Sequence, residues 1–228
     1  MDTRVDARRV RAGALALAVL CAWSGAFDRA AAGPDDWEAR WNKLQPADKV
    51  MDAVGIAPGM VVAEFGAGKG RYAVQVAARV GTKGMVYAED IDESALAYIE
   101  ERCERDKISN IETVLGSETD PRLPPASCDF VYCINTYHHV EDPVPLLRNI
   151  VPALKPGGRL VVIEHSPEKT KEDGLGGHAT PPDSVMAQAR AAGYELVARH
   201  SFLELDEIYV FRAANKETPA EKKAESTE

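Results

Sequence analysis

Residues 61–70 read VVAEFGAGKG, an apolar run that ends in an acid and then places three glycines at alternate positions. Val61, Val62, Ala63 and Phe65 suit a strand buried on both faces, as in parallel sheets. Gly66, Gly68 and Gly70 permit a tight turn and a close backbone approach that a Cβ would block. Residues 71–80 then place Ala73, Val76, Ala77 and Val80 at i, i+3, i+4 and i+7, one face of a helix. Strand, glycine turn and helix form the first half of a βαβ unit, whose helix N-terminus aims amide groups at a ligand. The pattern predicts an α/β fold around a parallel sheet.

The glycine spacing separates two ligand classes. A dinucleotide-binding turn reads GxGxxG, with its third glycine set for helix packing. Here the run is GxGxG, so a nicotinamide oxidoreductase fits the βαβ start but not the spacing. With Glu64 two residues ahead of Gly66, the run resembles the first motif of class I S-adenosylmethionine-dependent methyltransferases. The resemblance implies that Glu64 faces the methionine end of that cofactor and that the backbone of Gly66, Ala67, Gly68 and Gly70 passes beneath it. A second apolar strand over residues 84–88 leads into Glu89, Asp90, Ile91 and Asp92, where an acid can accept from ribose hydroxyls. In the resembling family this acid is followed by an apolar residue that packs on adenine. Asp90 with Ile91 fits best; Glu89 and Asp92 are its neighbouring alternatives. Asp92 also suits the N-cap of a helix over residues 93–105, with Leu96, Ile99 and Cys103 on one face.

Residues 110–143 read as strand, loop, strand, loop, with strands at 111–115 and 129–134. The approach LPPASCDFV is similar to that family's lead into its fourth strand. The resemblance places Ser117 or Glu118 near the adenine and Asn135 near the methionine moiety. Leu147, Ile150, Val151 and Leu154 predict a helix kinked at Pro152 and stopped at LKPGG, followed by a strand over residues 160–164. LKPGGRLVVIEH is itself a frequent signature of the family. Thr180, Pro181 and Asp183 predict a helix from residue 181 to 192, capped by Thr180. Strands at 194–200 and 207–212 complete the pattern. The resemblance spans residues 37–213 and implies a Rossmann-like, doubly wound seven-stranded sheet in the order 3-2-1-4-5-7-6, the last strand antiparallel.

The chain of 228 residues shows no internal repeat, and one α/β core of this length is large enough to stand alone. The expected organisation is a leader at 1–32, a class I methyltransferase domain at 33–213 and a disordered charged tail at 214–228. In the leader, Arg4, Arg8, Arg9 and Arg11 precede an uncharged run over residues 12–27, and small residues follow. That layout matches a secretory signal, cleaved after Ala26 or close to Ala32. The run is shorter than the roughly 20 residues of a spanning helix. Export to the periplasm or beyond the cell is therefore expected, without stable membrane association after cleavage. A membrane-anchored or cytoplasmic protein is the alternative. Removing residues 1–32 moves the formal charge from −9 to −11. So acidic a chain lacks the basic stripe that nucleic acid requires. Cys103, Cys128 and Cys133 would remain, an odd count without ligand spacing, so neither a disulfide framework nor a metal site is expected.

The chemistry implied by the resemblance is in-line displacement at a sulfonium methyl of S-adenosylmethionine by a small-molecule acceptor. His138 and His139 follow the fourth strand at the carboxyl edge of the sheet, where open α/β folds bind ligands. Either is a candidate general base. His165, His178 and Glu164 share the same rim, but no two of these groups have metal-ligand spacing on one element. Trp37 and Trp41, at i and i+4, predict a helix that covers the cofactor pocket or staples the core. S-adenosylmethionine is made in the cytosol, so an exported enzyme needs a separate supply. The alternative function is an exported, non-catalytic binding protein that keeps the fold.

Overall fold

The computed structural model describes residues 34–172 and 175–214. The leader and the charged tail expected from the sequence lie outside the described residues. Seven strands form one sheet in the order β3-β2-β1-β4-β5-β7-β6. They are β1 (Val61–Phe65), β2 (Met85–Asp90), β3 (Ile111–Leu115), β4 (Cys128–Ile134), β5 (Leu154–His165), β6 (Tyr194–His200) and β7 (Asp206–Ala213). The first five pair in parallel, and β7 runs antiparallel to both β5 and β6. The order and the reversed last strand are those the sequence resemblance implies.

Side chains alternate across the central strands and build two cores. In β4, Phe130, Tyr132 and Ile134 face one core while Val131 and Cys133 face the other. The first face is covered by α2 (Ala47–Val54), α3 (Ala73–Val80) and α4 (Glu93–Asp106), which bury Val50, Met51, Val76, Val80, Leu96 and Ile99. On the second face, α5 (Pro143–Ile150) and α6 (Pro182–Ala191) bury Leu146, Leu147, Ile150, Val185 and Ala189. The helix α1 (Pro34–Leu44) carries Trp37 and Trp41. Asp92 caps α4 as its sequence position indicates, its side chain accepting from the Ser94 amide at 2.8 Å. Among the described residues the three cysteines are free, and no helix is long and apolar enough to cross a membrane.

Strand and helix ends shift by a residue or two in several places, and three boundaries at prolines and glycines differ from the sequence expectation for a local reason. The helix expected to kink at Pro152 instead ends at Ile150 and continues as a 3₁₀ turn over Val151–Ala153. Proline has no amide hydrogen to give the carbonyl four residues back, so the α-helical ladder stops before it. LKPGG is not a helix stop but the start of β5: Leu154 pairs with Cys128, and the register then jumps to Arg159 opposite Phe130. The intervening residues bulge outward around Gly157, whose φ is +84°, and Lys155 is tied to Asp129 at 2.7 Å. The last helix begins at Pro182 rather than Pro181, and Thr180 does not cap it. A residue that precedes proline is excluded from helical angles, and Pro181 is held extended at φ −55°, ψ 138°.

Chain reversal in the sheet falls between β1 and β4: β1 leads outward to β2 and β3 on one side, and β4 to β5 on the other. The carboxyl ends of these two strands therefore border the crevice in which open α/β sheets bind ligands.

Candidate functional site

The crevice is built from the turn after β1. Gly66, Gly68 and Gly70 have φ of +68°, +54° and +72°, left-handed angles that L side chains rarely adopt. A Cβ on Gly66 would also lie 2.7 Å from Thr136 Oγ1, so the position is closed twice over. The turn is fastened to both neighbouring strands. Gly68 donates to Asp90 Oδ2 at 2.7 Å, Gly66 to Glu89 Oε2 at 3.4 Å, and Ala67 to the Glu89 carbonyl at 2.9 Å. From the other side, the Thr136 hydroxyl donates to the Gly66 carbonyl at 3.1 Å.

Two cavities meet over this turn, with Gly66 and Thr136 lining both. The larger, of about 620 Å³, is lined by Asp90, Ile91, Ser117, Glu118, His139 and Leu146 among others. Ile91 is 57% exposed, a large apolar side chain left open beside an acid at the end of β2. Asp90 is held by the Gly68 amide and by the Asp92 amide at 3.0 Å. Glu89, by contrast, is buried beneath the turn, and burial pushes its carboxyl up to about 8. Of the two acids, Asp90 is the one presented at the rim.

The smaller cavity, of about 380 Å³, takes in Glu64, Ala67, Gly68, Asn135, His138 and His165, with Trp37 and Trp41 above them. Glu64 is buried and accepts from the Tyr132 hydroxyl at 2.7 Å. Burial outweighs that bond and the nearby Arg71 charge, raising the Glu64 carboxyl to about 8. Asn135 sits at φ +53°, and its Oδ1 is buried with no hydrogen-bond partner. The structure thus brings Glu64, Gly66, Ala67, Gly68 and Asn135 to one cavity and Asp90, Ile91, Ser117 and Glu118 to the adjoining one. Gly70 lines neither; it sits at the start of the helical segment, where its missing Cβ leaves room for Ile99.

The histidines divide between the cavities. His138 and His178 face the smaller one, His139 the larger, and the rings of His138 and His139 lie 4.1 Å apart. His138 Nδ1 is 2.7 Å from Glu164 Oε1, and His165 Nδ1 is 2.6 Å from Asp206 Oδ1. Each pair fixes its ring and directs Nε2 away from the carboxylate. Burial, with His138 and His178 beside it, pulls the His139 pKa down and favours the neutral ring. Trp41 stacks on His165 at 5.5 Å between centroids.

Behind His165 runs a chain of polar side chains that sequence reading does not find. Gln45 donates to Asp206 at 2.9 Å and accepts from Arg71 at 2.6 Å, while Arg71 also donates to Asn42 at 3.1 Å. These bonds fasten the α1–α2 segment over the crevice. Thr136 is likewise missed. Asp206 left one sequence signal, as the first of two acids opening the run DEIYVF, but only the antiparallel register sets it opposite His165.

An open, mostly parallel sheet with this order and an antiparallel last strand, a crevice at its reversal point and a glycine turn clasped by an acid of the second strand define the class I methyltransferase fold. Residues 63–162 match a family model described as a methyltransferase domain. That match and the fold support a methyltransferase domain, with S-adenosylmethionine as the cofactor to test against the residues of the crevice. The chain is 31% identical over 121 residues to the ubiquinone/menaquinone biosynthesis C-methyltransferase UbiE of Shewanella woodyi, a match covering 52% of this chain and 48% of that protein. The chain spans about half the length of this relative. A SAM-dependent methyltransferase from Aquifex aeolicus superposes with a TM-score of 0.70 at 23% identity, covering 78% of this chain and 98% of that one. A solved [4+2]-cyclase, SpnF, superposes at 0.59 with 20% identity, over 69% of this chain and 58% of its own.

The residues present fit the cofactor. The orphaned Asn135 Oδ1 and the buried Glu64 carboxyl offer acceptor oxygens that would suit an ammonium group, Asp90 offers carboxylate lone pairs at the rim, and exposed Ile91 is an apolar surface beside it.

A carboxyl that stays protonated in the folded chain up to about 8, against an ordinary 4.5, makes the unfolded chain the one that loses its proton first. Stability of the ligand-free protein is therefore expected to fall as pH rises through that window, by up to about 1.4 kcal/mol per pH unit for each such group. Thermal unfolding followed from pH 5 to pH 8 checks this. Glu64→Gln should flatten part of the slope and leave the part due to Glu89; an identical slope in the variant would show that Glu64 is ionised in the apo protein.

Proposed function

We propose that this chain is an S-adenosylmethionine-dependent methyltransferase acting on a small, largely apolar acceptor. The observation that carries the reading is the acid-clasped glycine turn at the β1–β4 reversal, with Asn135, whose buried Oδ1 has no hydrogen-bond partner, in the lining of the crevice. In this reading Asp90 binds the ribose, Ile91 packs on the adenine with Ser117 or Glu118 near it, and Glu64 and Asn135 hold the methionine end. The cofactor supplies a methyl group on a positively charged sulfur. The chain mainly positions: holding the acceptor in line supplies about 7 to 11 kcal/mol of the barrier. Trp37 and Trp41 cover the acceptor cavity with an aromatic wall. With Nδ1 taken by Glu164, the lone pair of His138 at Nε2 is the acceptor-side group that handles a proton where the acceptor carries one.

A second reading, a binding protein or an enzyme of another class on the same fold, is favoured by the structural likeness to a protein named as a cyclase. Formation of S-adenosylhomocysteine during turnover separates it from the first.

Calorimetry on the full chain should show binding of S-adenosylmethionine or S-adenosylhomocysteine. Asp90→Ala should weaken it at least about tenfold, because bonds to a charged acceptor contribute roughly 1.5 to 3 kcal/mol each. No heat and no thermal shift with either ligand would sink the methyltransferase reading; an unaffected Asp90→Ala variant would shift the ribose to Glu89 or Asp92.

Once an acceptor is known, His138→Gln is expected to lower turnover by about 10²-fold or more while cofactor affinity stays near wild type. Equal turnover would make His138 structural.

We also propose that residues 1–32 direct export, followed by cleavage after Ala26 or close to Ala32, the support being the arginine, apolar and small-residue succession in the sequence. Intact mass of the protein from its native cell checks this. A soluble cytosolic species beginning at Met1 would overturn it.

A further inference from the structure

His138 and His139 lie on the loop after β4, and His178 on the loop between β5 and α6. Although no two of them share an element at ligand spacing apart from adjacent residues, one ring nitrogen from each lies within 4.8 Å of the others. Their ring centroids are 4.1, 5.4 and 5.9 Å apart. His138 is immobilised through Nδ1 by Glu164 at 2.7 Å, which leaves Nε2 as its ligand atom. His139 and His178 are exposed, free to turn towards it. Glu164 supplies a second, independent observation. It is 1% exposed, and its other oxygen, Oε2, is buried without a hydrogen-bond partner. A buried carboxyl oxygen left without a hydrogen-bond partner is costly unless another group compensates it.

We propose that His138, His139 and His178 bind a divalent transition-metal cation of the zinc type where the two cavities meet, with Glu164 as the outer partner of His138. Imidazole nitrogens bind zinc at about 2.0 to 2.1 Å, which sets tetrahedral ligands roughly 3.3 Å from each other. Rotation of the two exposed rings closes the present spacing to that value. A carboxylate that accepts from the remote nitrogen of a ligating histidine is the usual outer shell of such a centre, fixing the tautomer and raising the basicity of the ring.

Three protein ligands leave a fourth position open, the arrangement of catalytic rather than structural zinc. Since His138 and His178 line the acceptor cavity, that position takes a group of the acceptor. The fitting chemical class is an acceptor with an ionisable hydroxyl. Bound to the cation, the hydroxyl releases its proton to water; an oxygen lone pair then forms the new bond to the methyl carbon as the carbon–sulfur bond breaks, its electron pair going to sulfur. The cation replaces the base role of His138, because both need the same lone pair. This last step rests on the methyltransferase reading; the metal site itself does not.

The test uses the full chain, stripped with a chelator and titrated with Co²⁺ as a spectroscopic probe. The expected result is visible bands of four-coordinate cobalt saturating at one equivalent, displaced by Zn²⁺. Glu164→Gln should weaken binding by about 10- to 100-fold. His139→Ala and His178→Ala, at exposed positions, should weaken it at least as much, while His200→Ala leaves it unchanged. Absent bands, or bands that survive in both His139→Ala and His178→Ala, overturn the site. S-adenosylhomocysteine binding measured in the same samples keeps the two readings apart. Cobalt binding without it removes the methyltransferase reading only, and the reverse removes the metal site only.

Discussion

The left-handed turn at Gly66 is the constraint on which the rest of the crevice depends. Its φ of +68° admits no ordinary side chain, and the space a Cβ would take belongs to Thr136. Because of that contact, the turn after β1 and the loop after β4 sit against one another, and Thr136 lines both cavities. A larger residue at 66 would force the two loops apart and with them the acids and histidines they carry. The hydrogen bonds from Gly66 and Gly68 to Glu89 and Asp90 then set the distance from the turn to the second strand. Three strand ends are thus locked in register by one backbone conformation.

Around this turn the protein buries an unusual number of ionisable groups, and each is compensated differently. Glu64 and Glu89 are kept protonated by burial, so neither carries an isolated charge into the core. Asp206 is held by His165 and Gln45, and the bonds run on through Arg71 to Asn42. This network joins the N-terminal helices to the far side of the sheet, so the cover over the smaller cavity is fastened by directional bonds as well as by apolar contact. Among these acids, Glu164 keeps a buried oxygen unpaired. Its partner His138 stands at the cavity wall, so the one uncompensated buried acid in this set lies beside the histidine cluster.

Elements with a strong period were legible before any coordinates. Ala73, Val76, Ala77 and Val80 are all buried along α3, and Asp92 caps α4 where its position indicated. The failures came at prolines and glycines, where several local conformations satisfy the same letters. LKPGG reads equally as a helix stop and as a bulged entry to a strand, and the pairing of Leu154 with Cys128 selects the latter. Similarly, the choice between Pro181 and Pro182 as the first helical residue depends on which proline restricts its neighbour.

The sequence by itself determined the class of fold and the glycine-turn side of the crevice. Those residues are contiguous: an apolar strand, its acid, the glycines and the acid ending the next strand all lie within 61–91, and local geometry couples them. On the histidine side, sequence reading placed His138, Glu164 and His178 on one rim, but only the tertiary structure decided their contacts. Thr136 and His138 share the loop after β4, whereas Glu164, His178, Asp206 and Gln45 come from segments far apart in the chain, and nothing in their spacing relates them. Parallel pairing of β4 with β5 brings His138 to Glu164, and the antiparallel return of β7 sets Asp206 opposite His165. Sheet register, a property of strands that meet only after folding, is the physical reason these polar groups converge.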